Sequence, residues 1–499
     1  MKADRKIVLI NIFCSLFQQC VVIICGFILP RLIIRSFGSE VNGLVSSLTQ
    51  FLSYISLIEG GLTGVITANL YKPLVDKNDE LLSKVIKSAS QFYKKIAIIF
   101  SIYTVILAVV YPLIVKTSFS FAYASTLTLI LSFTFLIQYL FSISWKTLLN
   151  ADKKGFIVSL SYSLVVILNT VISIVVIKLF NNIHVVKILS ATIFLIQPII
   201  YNFYVKRHYK IRKDVEADSN LLAQRWDGFA INLAAFIHNN TDIVVLSLLG
   251  TLSQVSVYSV YLLVVNGIKS VIMAVSQAVV PTVGAAYAKG DKEALDKAYN
   301  RYEFIILALT FLLFTIGGLC ITPFVKLYTA GVTDVNYNQP VFGWFLILAE
   351  LVYCAKEPFL MMAYSANKFK DLKVIAYIEA ALNIVISLAL VKKMGLLGVA
   401  IGTLVAMTVR SVYQIIYLHS NILNRSIFQL FKGVIAYGIG MGIIIFLSKT
   451  LIHNSCETVM QWIVYGFENT ALSVVVLGLI SYPLYYSFFR GKRNEKNRD

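Results

Sequence analysis

The sequence predicts an all-α polytopic membrane protein of fourteen transmembrane helices: two six-helix lobes in parallel repeat, then two further helices. Three observations carry that reading. Long apolar runs recur along the chain, each sufficient for a hydrocarbon core of about 30 Å. Of 499 residues, 58% are hydrophobic and 14% charged, whereas a soluble chain is nearer a quarter charged. The 44 lysines and arginines are also unevenly placed: 32 at the termini and in the longer loops, nine in the opposite loops, three within apolar runs. That bias puts both termini in the cytoplasm, and an even number of spans agrees, since it keeps them on one side. An outer-membrane barrel would show short alternating strands instead.

The spans are expected at about 8–36, 41–70, 94–115, 122–146, 156–180, 186–205, 228–249, 255–286, 302–328, 340–364, 373–391, 396–418, 430–449 and 461–488. The first follows MKADRK and runs past Pro30 without a small-residue cleavage site, so it reads as a retained span. The connection Tyr71–Lys95 has apolar residues at Leu74, Leu81, Leu82, Val85, Ile86 and Phe92. It is expected to lie on the inner membrane surface as an amphipathic helix. The organisation is then an N-lobe (1–206), a cytoplasmic linker (207–227), a C-lobe (228–419), the last two spans (429–488) and a basic tail (489–499).

The net charge of +19 is topogenic and attracts anionic inner-leaflet lipid; nucleic acid is not an expected partner. Five of the six cysteines fall in apolar runs and none has metal-ligand spacing, so they act as small hydrophobes. No phosphate-cradling P-loop occurs, so the chain does not hydrolyse ATP. Paired carboxylates at catalytic spacing and large acidic outer loops are missing too. That argues against an enzyme such as a membrane-embedded polymerase or ligase.

An internal repeat supports the two lobes. ADKKGFIVSLSYSLVVILNTVISIVVIK (Ala151–Lys178) is similar to ANKFKDLKVIAYIEAALNIVISLALVK (Ala366–Lys392). Asn169 and Ser173 correspond to Asn383 and Ser387, an offset of 214. Spans 1–2 and 7–8 match more weakly, each pair with a glycine corner (Gly38, Gly250). Six spans per half gives a parallel repeat, with substrate expected between the halves near the midplane.

Charges in hydrocarbon are expensive and read as functional by default. Arg31 and Arg35 lie one turn apart near the outer end of span 1, after Pro30. Such a pair suits phosphate or pyrophosphate; snorkelling to the interface is the other reading, above all for Arg35. Lys269 lies midway along span 8, out of reach of either interface. Glu59 lies in span 2 beside Gly60, Gly61 and Gly64. Because spans 2 and 8 are equivalent, Glu59 and Lys269 are expected to face each other, as function or as a static pair. Span 7 carries His238, Asn239, Asn240, Thr241 and Asp242, suited to a sodium ion, to proton exchange, or to interhelical packing. Lys356 and Glu357 precede Pro358 in span 10, and Arg410 in span 12 is expected to pair with Glu379 or Glu350.

PRLIIRSFGSEVNGLVSS (Pro30–Ser47), EGGLTGVITANLYKPL (Glu59–Leu74), the tyrosine-rich Phe92–Val115 and the NADKKGF loop (150–156) resemble Wzx-type polysaccharide repeat-unit flippases. These belong to the multidrug/oligosaccharidyl-lipid/polysaccharide (MOP) exporter superfamily. The resemblance covers essentially the whole chain. It implies a V-shaped, MATE-like transporter of the bacterial cytoplasmic membrane, working by alternating access, with spans 1, 2, 7 and 8 lining its cavity. The implied cargo is an undecaprenyl-pyrophosphate-linked oligosaccharide for capsule, exopolysaccharide or O-antigen, moved from inner to outer leaflet.

Arg31, Arg35 and Lys269 would then bind the pyrophosphate or an acidic sugar. Glu59, Asp242, His238 and Asn239 would couple or gate, with Na+ or H+ as coupling ion and no other cofactor. The last two spans would guide the lipid tail. A polysaccharide polymerase and chain-length machinery would be partners. Related multidrug exporters rely on a carboxylate in span 1, which this span lacks. Lipid II flippases share an arginine-rich cavity but match the opening stretch less closely. Both remain alternatives.

Overall fold

The computed structural model describes residues 2–59, 62–212, 214–218, 236, 240–366, 368, 370–423, 427–453 and 456–490. Every regular element among them is helical. Eleven helices among the described residues are long and apolar enough to cross a membrane. They coincide with the expected spans 1, 3–6, 8, 9 and 11–14. Spans 2, 7 and 10 differ, and these carry much of the intramembrane polarity.

The second span is broken. Helix Ser39–Ser53 gives way to a single turn, Ser56–Glu59, and then to helix Leu62–Asp76. It begins at Gly38, whose φ of 88° is open to glycine at little cost. Span 10 divides at Lys356 into Pro340–Ala355 and Glu357–Ser365. Pro358 is the cause: it has no N–H to give, and its ring crowds the carbonyl one turn back. Of span 7, helix Asn240–Leu249 is described and most of the remainder is not.

The expected surface helix within Tyr71–Lys95 does not form as a separate element. One continuous helix, Asp79–Ile114, absorbs most of it. Leu82, Val85 and Ile86 are buried in the same core as Tyr93 and Phe100. No breaker stands between Asp79 and the last turn, so a packed apolar face carries the helix straight through. At about 1.5 Å per residue its 36 residues extend roughly 54 Å, well beyond the hydrocarbon. Its counterpart Lys292–Tyr328 does the same over 37 residues.

The two long helices start alike. Asn78 and Asp291 are N-caps, accepting from the amides of Leu81 and Ala294. Each follows a residue at positive φ, Lys77 at 52° and Gly290 at 69°. The caps are 213 positions apart, so the repeat read in the sequence reappears as backbone geometry.

The chain forms two compact units, Met1–Ser256 and Val257–Asp499. The division falls within helix Leu252–Ala288; much of 207–227 lies outside the described residues. The core of the first unit is built on Leu44, Leu48, Ile66, Tyr93, Phe100 and Tyr111, all fully enclosed. On the opposite face of Asp79–Ile114, Ile98, Ile102, Val105, Val109 and Leu113 are exposed. A bare stripe of branched apolar side chains at helical spacing is a surface for lipid tails. In the second unit, helices Phe428–Leu451 and Val459–Arg490 pack on Lys292–Tyr328. Tyr437 stacks on Phe311, and Trp462 donates to the carbonyl of Cys320 at 3.2 Å.

Candidate functional site

Each unit holds a polar site at membrane depth. In the first, Glu59 ends the short turn of the broken span. Tyr139 Oη donates to Glu59 Oε2 at 3.2 Å, and Thr63 Oγ1 to Oε1 at 3.3 Å. Thr63 in turn meets the buried Tyr93 hydroxyl at 3.3 Å. Tyr139 sits on a π-helical turn, Gln138–Ser142, inside an otherwise α-helical span. Such turns accommodate one extra residue and recur at functional sites. Two hydroxyls on one carboxylate at low dielectric make a site that can hold a negative charge or a proton.

The same unit contains the described end of the span-7 polar patch. Asp242 is 5% exposed, in the helix that begins at Asn240. Gln50 Nε2 donates to Asn240 Oδ1, and Tyr54 meets Phe236 edge-on at 4.9 Å. His238 and Asn239 lie outside the described residues. Arg31 is half-buried and Arg35 exposed.

The second unit is far more heavily charged. Lys269 pairs with Glu350 at 3.0 Å, and its ammonium lies 3.7 Å from the Tyr353 ring centroid. Lys356 approaches the same ring at 4.1 Å. Tyr353 is thus a shared π-face for two ammonium groups. Lys356 is 1% exposed and has no hydrogen-bond acceptor on Nζ among the described residues. Glu357 follows it, 5% exposed, and accepts from Ser276 at 3.4 Å; Ser276 also meets the Tyr302 hydroxyl at 2.6 Å.

Behind these, Arg410 pairs with the fully buried Glu379. In these pairings three bases, Lys269, Lys356 and Arg410, stand near three carboxylates, Glu350, Glu357 and Glu379. Taking each ion from water costs several kcal/mol, offset only where partners and geometry are good.

The expectation for Arg410 is met by Glu379, while Glu350 goes to Lys269. Lys269 and Glu59 each have partners inside their own unit. Two residues missed in the sequence stand out. Tyr139 and Tyr353 are 214 positions apart, the repeat offset, and each touches the charge carried by its unit's second or eighth span. Applying the offset to tyrosines would have found them. Glu303, fully enclosed, was also missed, because it sits where the span was expected to start. Among the described residues, no group of three or more His, Cys, Asp or Glu could hold a metal ion.

Residues 229–389 match the MatE family model. None of the curated proteins matches the chain. Among solved structures, the fold is similar to the lipid II flippase MurJ in an inward closed conformation. That likeness has a TM-score of 0.72 at 16% identity, covering 96% of this chain and 99% of that one. It is similar to the MATE multidrug transporter DinF-BH, at TM-score 0.60 and 16% identity, covering 83% and 94%. An inward-facing multidrug-resistance MATE transporter of the MOP superfamily gives 0.59 and 14%, covering 80% and 95%. At such identities the likeness speaks to the fold: this chain has the architecture of these membrane transporters.

Proposed function

We propose that the chain is a MOP-superfamily flippase. Its cargo is an undecaprenyl-pyrophosphate-linked oligosaccharide, moved from the inner to the outer leaflet of the bacterial cytoplasmic membrane for surface polysaccharide synthesis. The observation that carries this reading is the first helix, Lys2–Phe37. Its apolar part contains Arg31 and Arg35 and no carboxylate. A cationic span suits a pyrophosphate headgroup, not an amphipathic cation. The resemblance of Pro30–Ser47 and Glu59–Leu74 to polysaccharide-unit flippases supports the cargo.

In this reading Arg31, Arg35 and Lys269 bind the diphosphate or an acidic sugar. Glu59 and Asp242, with His238 and Asn239, exchange the coupling proton or sodium ion. Glu59 supports that role: the Tyr139 and Thr63 hydroxyls both donate to its carboxylate within the broken span.

The test is export of surface polysaccharide in a flippase-deleted host carrying Arg31→Ala or Lys269→Ala. Loss of export at normal protein level is expected for both. Full export by both removes these residues from the mechanism.

A second reading, a lipid II flippase, is favoured by the extent of the MurJ likeness. The MATE likeness covers less of this chain, 83%. Complementation separates the readings. Rescue of cells depleted of their own lipid II flippase, without restored polysaccharide, would favour lipid II. Unchanged polysaccharide with raised drug sensitivity on deletion would favour a drug exporter.

A further inference from the structure

The first unit contains a cavity of about 630 Å³ that shares only Tyr139 with the Glu59 site. One wall is the Asp79–Ile114 helix, which presents Ser83, Lys87, Ser90 and Lys94 along one face. A second is the π-helical turn with Phe141 and Trp145, and a third is Pro198 and Ile199 of helix Ile196–His208. The stretch after that helix closes one end with Ile211 and Arg212. This stretch is strapped to the long helix. The amides of Arg212 and Asp218 donate to Ser83 and Ser88 at 2.9 and 2.8 Å, and Lys87 Nζ donates to the carbonyl of Val215 at 2.6 Å.

The lining is amphipathic in a definite way. Among the described residues, its ionisable lining side chains other than Tyr139 are three cations, Lys87, Lys94 and Arg212, with Asp218 of the strap beyond the lining. All three come from the basic connections. Phe141 and Ile199, more than half exposed, continue the cavity as an apolar surface in hydrocarbon. A ligand matching both parts is anionic at one end and has an acyl chain at the other.

We propose that this cavity is a binding site for an anionic phospholipid of the leaflet facing the basic loops. Its phosphate sits among Lys87, Lys94 and Arg212 and its chain lies along Phe141 and Ile199. The site stands apart from the proposed cargo reading. Its wall includes Tyr139, the residue that holds Glu59, so an occupying lipid abuts the support of the carboxylate.

Trp145 supplies the probe. The full-length chain keeps this tryptophan alone in a Trp226→Phe/Trp344→Phe/Trp462→Phe variant. It is placed in vesicles of phosphatidylcholine containing a small fraction of brominated phosphatidylglycerol or, separately, brominated phosphatidylcholine. Preferential quenching by the anionic lipid is expected. The exposed Lys94 and Arg212 are then replaced together by Gln, changes that leave the packed core untouched. Apparent affinity for the anionic lipid should fall roughly fivefold per cation removed.

Native mass spectrometry of the unmutated chain gives an independent readout, as retained phosphatidylglycerol over phosphatidylcholine from an equimolar mixture. Equal quenching or equal retention of the two lipids overturns the proposal. So does a preference that survives in Lys94→Gln/Arg212→Gln. Relief of quenching by millimolar inorganic phosphate also overturns it, since it would mean that the site takes free phosphate.

Discussion

Tyr139 and Tyr353 occupy equivalent places in the two units and are used in opposite ways. In the first unit the phenol acts through its oxygen, donating to Glu59 at 3.2 Å. In the second the ring acts through its face, with the ammonium groups of Lys269 and Lys356 at 3.7 and 4.1 Å. An aromatic ring with a hydroxyl has a negative face and a positive edge. One side chain can therefore serve a carboxylate or a cation. The comparison teaches that the repeat fixes where a tyrosine stands, while the charge placed against it decides its role. The helices differ in step with this: the span of Tyr139 keeps its course with a π-turn, and that of Tyr353 is cut at Lys356.

The largest effect is expected deep in the second unit. Glu379→Leu leaves Arg410 buried without its carboxylate and should destabilise by about 3–5 kcal/mol. Glu379→Leu with Arg410→Leu should recover most of that loss, read as thermal unfolding in detergent. Equal melting of the single and double variants would show that the pair is not coupled. Lys269→Met should also destabilise, by about 2 kcal/mol or more, because its partner Glu350 is nearly enclosed.

The Phe substitution tests the comparison directly. Tyr139→Phe removes a hydrogen bond to a charged group, worth about 1.5–3 kcal/mol, and export should drop severalfold. Tyr353→Phe keeps the ring face and should stay within about 0.5 kcal/mol of the parent. Tyr353→Leu should lose about 1–2 kcal/mol. If Phe is silent at 139 and damaging at 353, the two roles are reversed.

The smallest effect is expected at Glu80. Its carboxyl lies below the ordinary value because Lys84, 2.7 Å away, hydrogen-bonds it. A depressed carboxylate contributes above its unfolded pKa and loses that contribution as pH falls through the folded one. The pair is fully solvated, so Glu80→Ala should leave the melting temperature unchanged at neutral pH.

Much of the architecture was legible because hydrocarbon imposes long apolar runs and a charge bias at their ends. The Arg410 pairing was legible because a buried guanidinium needs a carboxylate, and few were within reach along the neighbouring spans. What escaped leaves little trace in composition. Lysines at 84, 87, 94 and 95 look like a loop. Yet they ride the outer face of one helix whose inner face, Leu82 to Phe100, is packed. The π-turn consists of ordinary helix formers, so nothing in QYLFS announces it. Glu303 was passed over because the lysine-rich start of its helix resembles a connection.

That π-turn has a consequence of length. Each residue turns an α-helix by about 100°, so one residue more or fewer rotates everything beyond it. The five residues Gln138–Ser142 hold the surplus, and Trp145, Thr147 and Leu148 keep their directions because of it. Deleting a single residue there would change no charged group and leave the apolar character of the span intact. It would nevertheless put the two halves of that span out of phase, turning either Tyr139 from Glu59 or Leu148 from the core. At this point the chain stores its specificity as a count.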